Sequence, residues 1–141
     1  MRILILNGPN LNLLGKREPQ VYGSVSLRDI QQRLKKRFPK ARLTFKQSSS
    51  EADIVDHLNK AFDGPYDGVV INAGAYSHYS YAIRDAIAML KIPVVEVHIS
   101  NIQAREEFRK HSVLTPVCKG VIAGLGVTGY ELAVRFLLEQ Q

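Results

Sequence analysis

Side chains able to do acid–base chemistry follow three of the apolar runs in this sequence. A tyrosine, Tyr22, comes five residues after an arginine, Arg17, in a long segment with neither helical nor strand periodicity. Two histidines, His78 and His98, follow later apolar runs, and His98 stands two residues after Glu96. Side chains of these types can take up, hold and release protons, so they are candidates for general acid–base catalysis.

Tyr22 and His98 suit opposite roles in a proton transfer. Tyrosine is a poor base at neutral pH because its unperturbed pKa is about 10. A neighbouring guanidinium favours the phenolate, so Arg17 and Tyr22 together form a candidate base. Histidine exchanges a proton near neutrality, which makes His98 the natural partner. Glu96 and His98 share one face of a predicted strand, so the carboxylate can orient the imidazole ring.

Further side chains near these residues are suited to an anionic, hydroxylated ligand. Hydrogen-bond donors come from Asn72, His78, Arg109 and the backbone near Ser100. Each residue also has a structural explanation: Asn72 can form a turn, His78 can flank a helix, and His98 can be a satisfied core histidine. A base, an acid and a set of donors together indicate elimination or enolisation next to a carbonyl.

Five short apolar runs must position these side chains. They are residues 3–6, 43–45, 68–71, 94–97 and 120–123, and stretches of helical periodicity lie between them. Runs rich in valine and isoleucine with little alternation are typical of strands that are covered on both faces. The pattern predicts an α/β fold of five βα units. We expect a flavodoxin-like, five-stranded parallel sheet of order 2-1-3-4-5 with helices on both faces.

The predicted sheet brings the polar groups together. Ligands of such sheets bind beyond the carboxyl ends of the strands, at the switch point between strands 1 and 3. The polar groups follow strands 1, 3 and 4, so their side chains should meet at one edge. These residues are Asn10, Arg17, Tyr22, Asn72, His78, His98, Ser100 and Arg109.

The helical stretches each show one apolar face. The positions expected in the core include Phe62, Ala82 and Leu132. Two helices should begin at a serine that precedes an aspartate by three residues, namely Ser26 with Asp29 and Ser50 with Asp53. The charged stretch from 101 to 111 is expected to form one or two helical turns.

Length and composition limit the possible classes of protein. The 141 residues, 45% hydrophobic and 23% charged, indicate one globular, soluble domain spanning residues 1–141. The one cysteine, Cys118, allows no intrachain disulfide, and the four histidines match no zinc pattern. No apolar run approaches the ~20 residues of a membrane span, and no signal peptide is recognisable. We therefore expect a cytoplasmic protein with no metal and no membrane partner.

The formal net charge of +6 is concentrated in one part of the chain. Between Arg28 and Lys46 there are eight basic residues and a single acid, Asp29. Such a patch can bind nucleic acid. No aromatic residues alternate with the basic ones and no nucleic-acid-binding motif is present, so a solvated helix face is the favoured interpretation. We expect no nucleic-acid partner.

Near the carboxyl terminus, residues 124–129 spell GxGxxG after a predicted strand. In a dinucleotide-binding unit a second strand with a ribose-binding acid follows ~20 residues later. The chain ends twelve residues after Gly129, so no such strand can follow. Close packing between a strand and a helix explains these glycines better.

Several blocks of the sequence resemble the type II 3-dehydroquinate dehydratases. They are NGPNLNLLGKREPQVYG, NAGAYSHYS, IRDA, EVHISNIQAREEFRKHS and KGVIAGLGVTGY. The resemblance covers nearly the whole chain and implies a flavodoxin-like fold. It also implies a lyase that dehydrates 3-dehydroquinate to 3-dehydroshikimate, in the shikimate pathway of chorismate and aromatic amino acid biosynthesis or in quinate catabolism. Members use no metal and no organic cofactor, and they assemble as homododecamers, each a tetramer of trimers.

The resemblance also implies a role for particular residues. Tyr22 matches the base that takes a proton beside the ketone, and Arg17 matches the residue that favours its phenolate. His98 matches the acid that protonates the departing hydroxyl, and Asn10 matches an asparagine that holds a water near the enolate. The substrate-binding positions are Asn72, His78, Ser100, Arg109, Ile99 through its backbone, and Asp85, which reaches a neighbouring subunit's site.

The segment from Leu11 to Tyr22 corresponds to a lid that closes over substrate. The chain departs from the family pattern at Ser49, Ala73 and Gln103, none of which is a proposed proton-transfer residue. Two alternatives stay open at this stage. One is a flavodoxin-like binding or signalling module without catalysis. The other is a different lyase or isomerase that acts on a cyclic hydroxy-keto acid.

Overall fold

The structure is a computed structural model that describes residues 1–140. Five parallel strands form one sheet in the order β2-β1-β3-β4-β5, which confirms the predicted strand order. The strands are β1 (Arg2–Asn7), β2 (Arg42–Gln47), β3 (Gly68–Asn72), β4 (Val94–His98) and β5 (Gly120–Ala123). Asn7 is level with Asn72 in the register of β1 and β3, so the two strands end together at one edge.

Five helices accompany the sheet: α1 (Pro19–Tyr22), α2 (Leu27–Arg37), α3 (Glu51–Phe62), α4 (Tyr81–Ala88) and α5 (Thr128–Leu138). Side chains alternate along β1, so Ile3 and Ile5 pack into one core cluster with α2 and α5. Leu4 and Leu6 pack into a second cluster with α3 and α4 on the other face. The central strands are buried on both faces, which explains their continuous runs of valine and isoleucine.

Both predicted N-caps are present. The Ser26 hydroxyl accepts a hydrogen bond from the Asp29 amide at 3.1 Å, and the Asp29 carboxylate accepts one from the Ser26 amide at 3.0 Å. At α3 the Ser50 hydroxyl accepts from the Asp53 amide at 3.3 Å. These bonds satisfy amide groups that the first turn of a helix leaves without a partner, so they fix where α2 and α3 begin.

Three expected core positions are wrong. Phe62 is 45% exposed because it is the last residue of α3. Ala82 is exposed in the first turn of α4. Leu132 is 39% exposed because the buried face of α5 runs through Tyr130, Ala133, Val134 and Leu137, and one residue is a 100° rotation on a helix. The periodicity of apolar residues predicted the helices correctly, but it overestimated the width of their buried faces.

The segment after β1 is more ordered than its lack of periodicity indicates. It contains a 3₁₀ turn over Leu11–Leu13 and the short helix α1. Its path begins at Gly8, where a Cβ atom would lie 2.4 Å from the Ala73 carbonyl oxygen. This close approach holds the exit of β1 against the exit of β3, where ligands of such sheets bind. The stretch after β4 forms two 3₁₀ turns, Ile102–Ala104 and Glu107–Lys110, as expected.

Within residues 1–140, no helix is both long enough and apolar enough to cross a membrane.

Candidate active site

A pocket of about 80 Å³ opens at the carboxyl edge of the sheet, where the segments after β1, β3 and β4 meet. It brings together most of the side chains that the sequence singled out. The predicted residues that line it are Asn10, Arg17, Tyr22, Asn72, His78, His98, Ile99, Ser100 and Arg109. Glu96 lies directly beneath the pocket, in contact with His98.

The Tyr22 hydroxyl is held between two guanidinium groups. Arg105 Nη1 donates to it at 2.9 Å and Arg17 Nη2 at 3.4 Å. The guanidinium carbon Cζ of Arg17 also lies 4.5 Å from the centre of the Tyr22 ring, and Cζ of Arg105 lies 5.3 Å from it. Positive charge on both sides stabilises negative charge on the phenolic oxygen, so the arrangement can support a tyrosine base.

Arg105 is the main site residue that sequence reasoning missed. It lies between the two 3₁₀ turns after β4, and its Nη1 also donates to the Ser100 hydroxyl at 3.2 Å. Arg109, four residues later, pairs with Glu106 at 2.6 Å and lines the pocket beside it. Nothing in the sequence spacing distinguishes these two arginines. The sequence did contain one signal for a site here, namely that two arginines follow a strand that ends in His98.

His98 is anchored from below by Glu96. The two side chains lie on one face of β4, with His98 Nε2 2.6 Å from Glu96 Oε1. Glu96 is 0% exposed, and it also accepts hydrogen bonds from the Ser112 and Thr115 hydroxyls. Burial opposes its negative charge, but these hydrogen bonds outweigh burial and hold the pKa of Glu96 below its ordinary value. Because Nε2 is used in this bond, Nδ1 is the ring nitrogen left for a ligand.

His78 forms one wall of the pocket. Its Nδ1 lies 2.8 Å from the His111 carbonyl oxygen, which can only accept, so Nδ1 carries the proton. Burial lowers the pKa of His78 from its ordinary value. Its ring stacks against that of His98, with centres 6.0 Å apart and an interplanar angle of 24°. A neutral His78 beside His98 is therefore a polar contact for a ligand and adds no competing positive charge.

Asn72 is part of a buried polar network under the pocket. Its Nδ2 donates to the Tyr130 hydroxyl at 3.0 Å, and Tyr130 donates to Asn7 Oδ1 at 2.5 Å. Its Oδ1 accepts from the Gly74 amide at 3.2 Å. These bonds fix the amide plane of Asn72 and leave its second N–H to point toward a ligand. Tyr130 was not recognised in the sequence, because a tyrosine on an apolar helix face is indistinguishable from a core residue.

The glycine-rich motif supports the site from behind. The Gly124 amide donates to the His98 carbonyl at 3.2 Å, and the Gly126 amide donates to that of Ile99 at 3.0 Å. A Cβ on Gly129 would lie 3.3 Å from a methyl group of Val97. The motif therefore packs α5 closely against β4, as expected, and its amides hold the end of β4.

Two predicted features lie outside the pocket. Asp85 is exposed on α4 and does not line it, so its expected contact with a neighbouring subunit stays a prediction. The eight basic residues between Arg28 and Lys46 are all exposed. One of them, Arg33, pairs with Glu131 of α5. In the part of the chain that the structure describes, no three side chains of His, Cys, Asp or Glu cluster so that they could hold a metal ion.

The chain is similar to known proteins along its whole length. The family model for dehydroquinase class II matches residues 1–138. A 3-dehydroquinate dehydratase of an Exiguobacterium species is 60% identical over 140 residues, which cover 99% of this chain and 95% of that protein. The 3-dehydroquinate dehydratase of Bacillus subtilis is 57% identical over 141 residues, covering 98% and 94%.

Solved structures agree with the sequence comparisons. The crystal structure of a type II dehydroquinase from Butyrivibrio crossotus superposes with a TM-score of 0.95 at 45% identity, covering 98% of this chain and 97% of that one. A 3-dehydroquinate dehydratase-like protein from Bifidobacterium longum has a TM-score of 0.71 at 29% identity, covering 99% of both chains. With the family model and the close relatives, these likenesses show that the chain belongs to the class II dehydroquinase family of enzymes.

Proposed function

We propose that this chain is a hydro-lyase that dehydrates 3-dehydroquinate to 3-dehydroshikimate, with residues 1–141 acting as one catalytic domain. The observation that carries the proposal is the pairing inside one pocket of an arginine-flanked tyrosine, Tyr22, with a carboxylate-anchored histidine, His98. A base and an acid so arranged fit a reaction that removes a proton from one carbon and a hydroxyl from the next. The family membership supports the same reaction.

In the first step, the Tyr22 phenolate takes a proton from the carbon beside the ketone, and the carbonyl becomes an enolate. Arg105 and Arg17 stabilise the phenolate before the transfer, because both donate to its oxygen. Asn10, at the pocket rim, holds a water near the enolate oxygen and so spreads its negative charge.

In the second step, the enolate collapses back to a ketone and expels the hydroxyl from the adjacent carbon. His98 protonates this hydroxyl from Nδ1 as it leaves, so the departing group is water and the product is a conjugated enone. Glu96 keeps the ring oriented and stabilises the imidazolium before it gives up its proton.

The other pocket residues bind and orient the substrate. Arg109 supplies positive charge for the carboxylate, and Ser100 and the Ile99 backbone contribute hydrogen bonds. Asn72 and His78 hold the ring hydroxyls. We also propose that Asp85 completes the site of a neighbouring subunit in a trimer, four of which form a dodecamer.

The wider setting belongs to the same proposal. The segment 11–22 closes over bound substrate and excludes water. The reaction proceeds without a metal ion or organic cofactor, in the cytoplasm. It serves the shikimate pathway of aromatic amino acid biosynthesis, with quinate catabolism as the alternative role.

Absorbance of the enone product tests the proposal. Chelator-treated protein is mixed with 3-dehydroquinate, and the ultraviolet absorbance is followed for the wild type, Tyr22→Phe and Tyr66→Phe. Tyr66 precedes β3 at the opposite end of the sheet, so its variant controls for a lost phenol. We expect product from the wild type and the control, and a rate about 10²–10⁴-fold lower for Tyr22→Phe.

Two results would contradict the proposal. If the wild type forms no enone, the substrate is wrong. If Tyr22→Phe reacts at the wild-type rate, the reaction stands and the assignment of Tyr22 as the base is wrong.

A comparison of Arg105→Leu with Arg17→Leu ranks the two guanidinium groups. We expect both to lose activity, and the shorter contact of Arg105 predicts that its loss is the larger.

A further inference from the structure

A third layer of side chains lies below His98 and Glu96. Glu96 is fully buried, and a buried carboxylate without donors is strongly destabilising. Three side chains supply the donors: His98 Nε2 at 2.6 Å and Ser112 Oγ at 2.6 Å bond to Oε1, and the Thr115 hydroxyl bonds to Oε2. Ser112 therefore shares Oε1 with His98, whereas Thr115 bonds to the other oxygen of the carboxylate.

The orientation of the Ser112 hydroxyl is fixed by the backbone. Its oxygen accepts hydrogen bonds from the amides of Leu114 at 3.1 Å and Thr115 at 3.3 Å. A serine oxygen has two lone pairs and one hydrogen, so these amides leave only the hydrogen for a further partner. That hydrogen must point to Glu96 Oε1. Ser112 is thus a donor to the carboxylate and cannot turn to accept a proton from it.

The segment that carries both hydroxyls is tied to the scaffold. The Val113 carbonyl accepts from Arg84 Nη1 of α4 at 2.7 Å, and the Val113 amide donates to the Ser77 carbonyl at 2.8 Å. Leu114, between the two hydroxyl residues, is 0% exposed in the core. The segment that carries the two donors is therefore held by contacts outside the pocket.

This donor set determines the state of the imidazole ring. The Ser112 and Thr115 hydroxyls each donate to one carboxylate oxygen, so they stabilise the ionised form of Glu96 over its protonated form. Nε2 of His98 must then carry its hydrogen, and Nδ1 must face the pocket. Without the hydroxyls, a His98 imidazolium could pass its Nε2 proton to Glu96, and the neutral ring left behind would carry its hydrogen on Nδ1.

We propose that Ser112 and Thr115 are positioning residues, which hold the Glu96 carboxylate as an acceptor and thereby keep His98 Nδ1 directed at the substrate. The predicted effect of these two residues on the reaction rate rests on the proposed function, whereas their predicted effect on the His98 ring does not. Neither hydroxyl lines the pocket, so both act through Glu96.

Thr115 offers a clean test because valine has nearly its shape. Thr115→Val deletes the donor to Glu96, Thr115→Ser retains it, and Thr44→Val makes the same chemical change on β2, far from the site. We expect Thr115→Val to lower kcat by about tenfold with KM within about twofold, since one hydrogen bond to a charged group is removed. We expect Thr115→Ser and Thr44→Val to keep both constants within about twofold.

Two spectroscopic measurements make the test independent of the reaction. Solid-state NMR of protein labelled with ¹⁵N-histidine reports which nitrogen of His98 is protonated, and ¹³C-glutamate labelling follows the titration of Glu96. Thr115→Val should raise the Glu96 midpoint and lower the fraction of His98 rings that carry a hydrogen on Nε2. Two other titratable groups interact with Glu96: the Cys118 thiol stays protonated because burial raises its pKa to about 12, and His78 is followed in the same spectra.

The outcomes separate this proposal from the proposed function. A wild type that fails to dehydrate 3-dehydroquinate would remove the rate prediction but leave the two spectroscopic ones in force. If Thr115→Val keeps the wild-type Glu96 midpoint and His98 tautomer, the positioning role is overturned. The same follows if Thr115→Ser is as impaired as Thr115→Val. Should Thr115→Val fail to fold, Ser112→Ala provides the same two measurements with the same expected directions.

Discussion

Removal of one hydroxyl group, that of Tyr130, should destabilise the protein as much as a core truncation. Tyr130 is 0% exposed, and its oxygen joins the two asparagines that end β1 and β3. It accepts from Asn72 Nδ2 and donates to Asn7 Oδ1. Tyr130→Phe leaves the ring packed in the core, but it removes the one hydroxyl group that pairs with both asparagines. Asn7 is 3% exposed and Asn72 is 4% exposed, so water reaches neither group easily.

The magnitude follows from the two groups left unpaired. Each buried donor or acceptor without a partner costs about 1–3 kcal/mol. In the variant, Asn7 Oδ1 loses the donor that Tyr130 supplied, and Asn72 Nδ2 loses its acceptor. The Asn72 amide lines the pocket and can adjust there, which reduces the cost of its lost bond. We therefore expect the free energy of unfolding to fall by about 2–4 kcal/mol. We also expect KM to rise more than kcat falls, because Asn72 loses its fixed orientation.

Chemical denaturation measures this change. The wild type, Tyr130→Phe and Tyr66→Phe are unfolded at a single protein concentration, since association would make stability depend on concentration. Tyr66 is half-buried at the edge of the second core cluster, and its variant should lie within about 0.5 kcal/mol of the wild type. If Tyr130→Phe also lies within that range, the buried network does not contribute as argued, and Asn72 is positioned by its turn alone.

Three further predictions concern the scaffold. Ser26→Ala removes the N-cap of α2 and should lower the free energy of unfolding by about 1 kcal/mol in a denaturant titration. Gly8→Ala places a Cβ 2.4 Å from the Ala73 carbonyl oxygen and should cost about 3 kcal/mol or more, whereas Gly120→Ala, with open space around its Cβ, should fold normally. The pKa of Glu96 is lower in the folded than in the unfolded chain, so the stability it contributes is complete above about pH 4.3 and is lost as pH falls through the folded value. Denaturation midpoints from pH 7 to pH 3 should therefore decline, and Glu96→Gln should flatten the lowest part of that profile.

The sheet could be predicted from the sequence because local and global signals agree. The buried strands are continuous runs of valine and isoleucine, and serine caps mark where α2 and α3 begin. The order of the strands then places the segments after β1, β3 and β4 at one edge. This topology brought nine predicted residues to the pocket, although they are spread from Asn10 to Arg109.

The rest depends on distances that a linear sequence does not contain. Arg105 and Arg109 have the same side chain and the same strand before them, and only the turns between them decide which guanidinium reaches Tyr22. The role of Tyr130 depends on two asparagines that are 58 and 123 residues away. Ser112 and Thr115 are ordinary surface types, and their contact with Glu96 follows from the path of a loop.

The two halves of the proposed proton transfer are supported in different ways. His98 ends a buried central strand, and its ring is held by a carboxylate whose own donors are tied to the core. Tyr22 is half-buried at the end of a four-residue helix, and the contacts that hold its hydroxyl come from two long arginine side chains. The proposed acid therefore belongs to the rigid sheet, whereas the proposed base lies on α1, none of whose residues is fully buried.

This asymmetry has a consequence for catalysis. Under the proposed closure of segment 11–22, the reaction waits until Tyr22 lies over the pocket, while His98 is already in place. Substitutions at Arg17 or Arg105 should therefore change the rate at which the closed site forms as well as the chemical step. Substitutions at Thr115 should change the chemical step alone. Pre-steady-state mixing with 3-dehydroquinate separates the two classes. A lag before enone formation is expected in the arginine variants, and its appearance in Thr115→Val would contradict the division between a fixed acid and a mobile base.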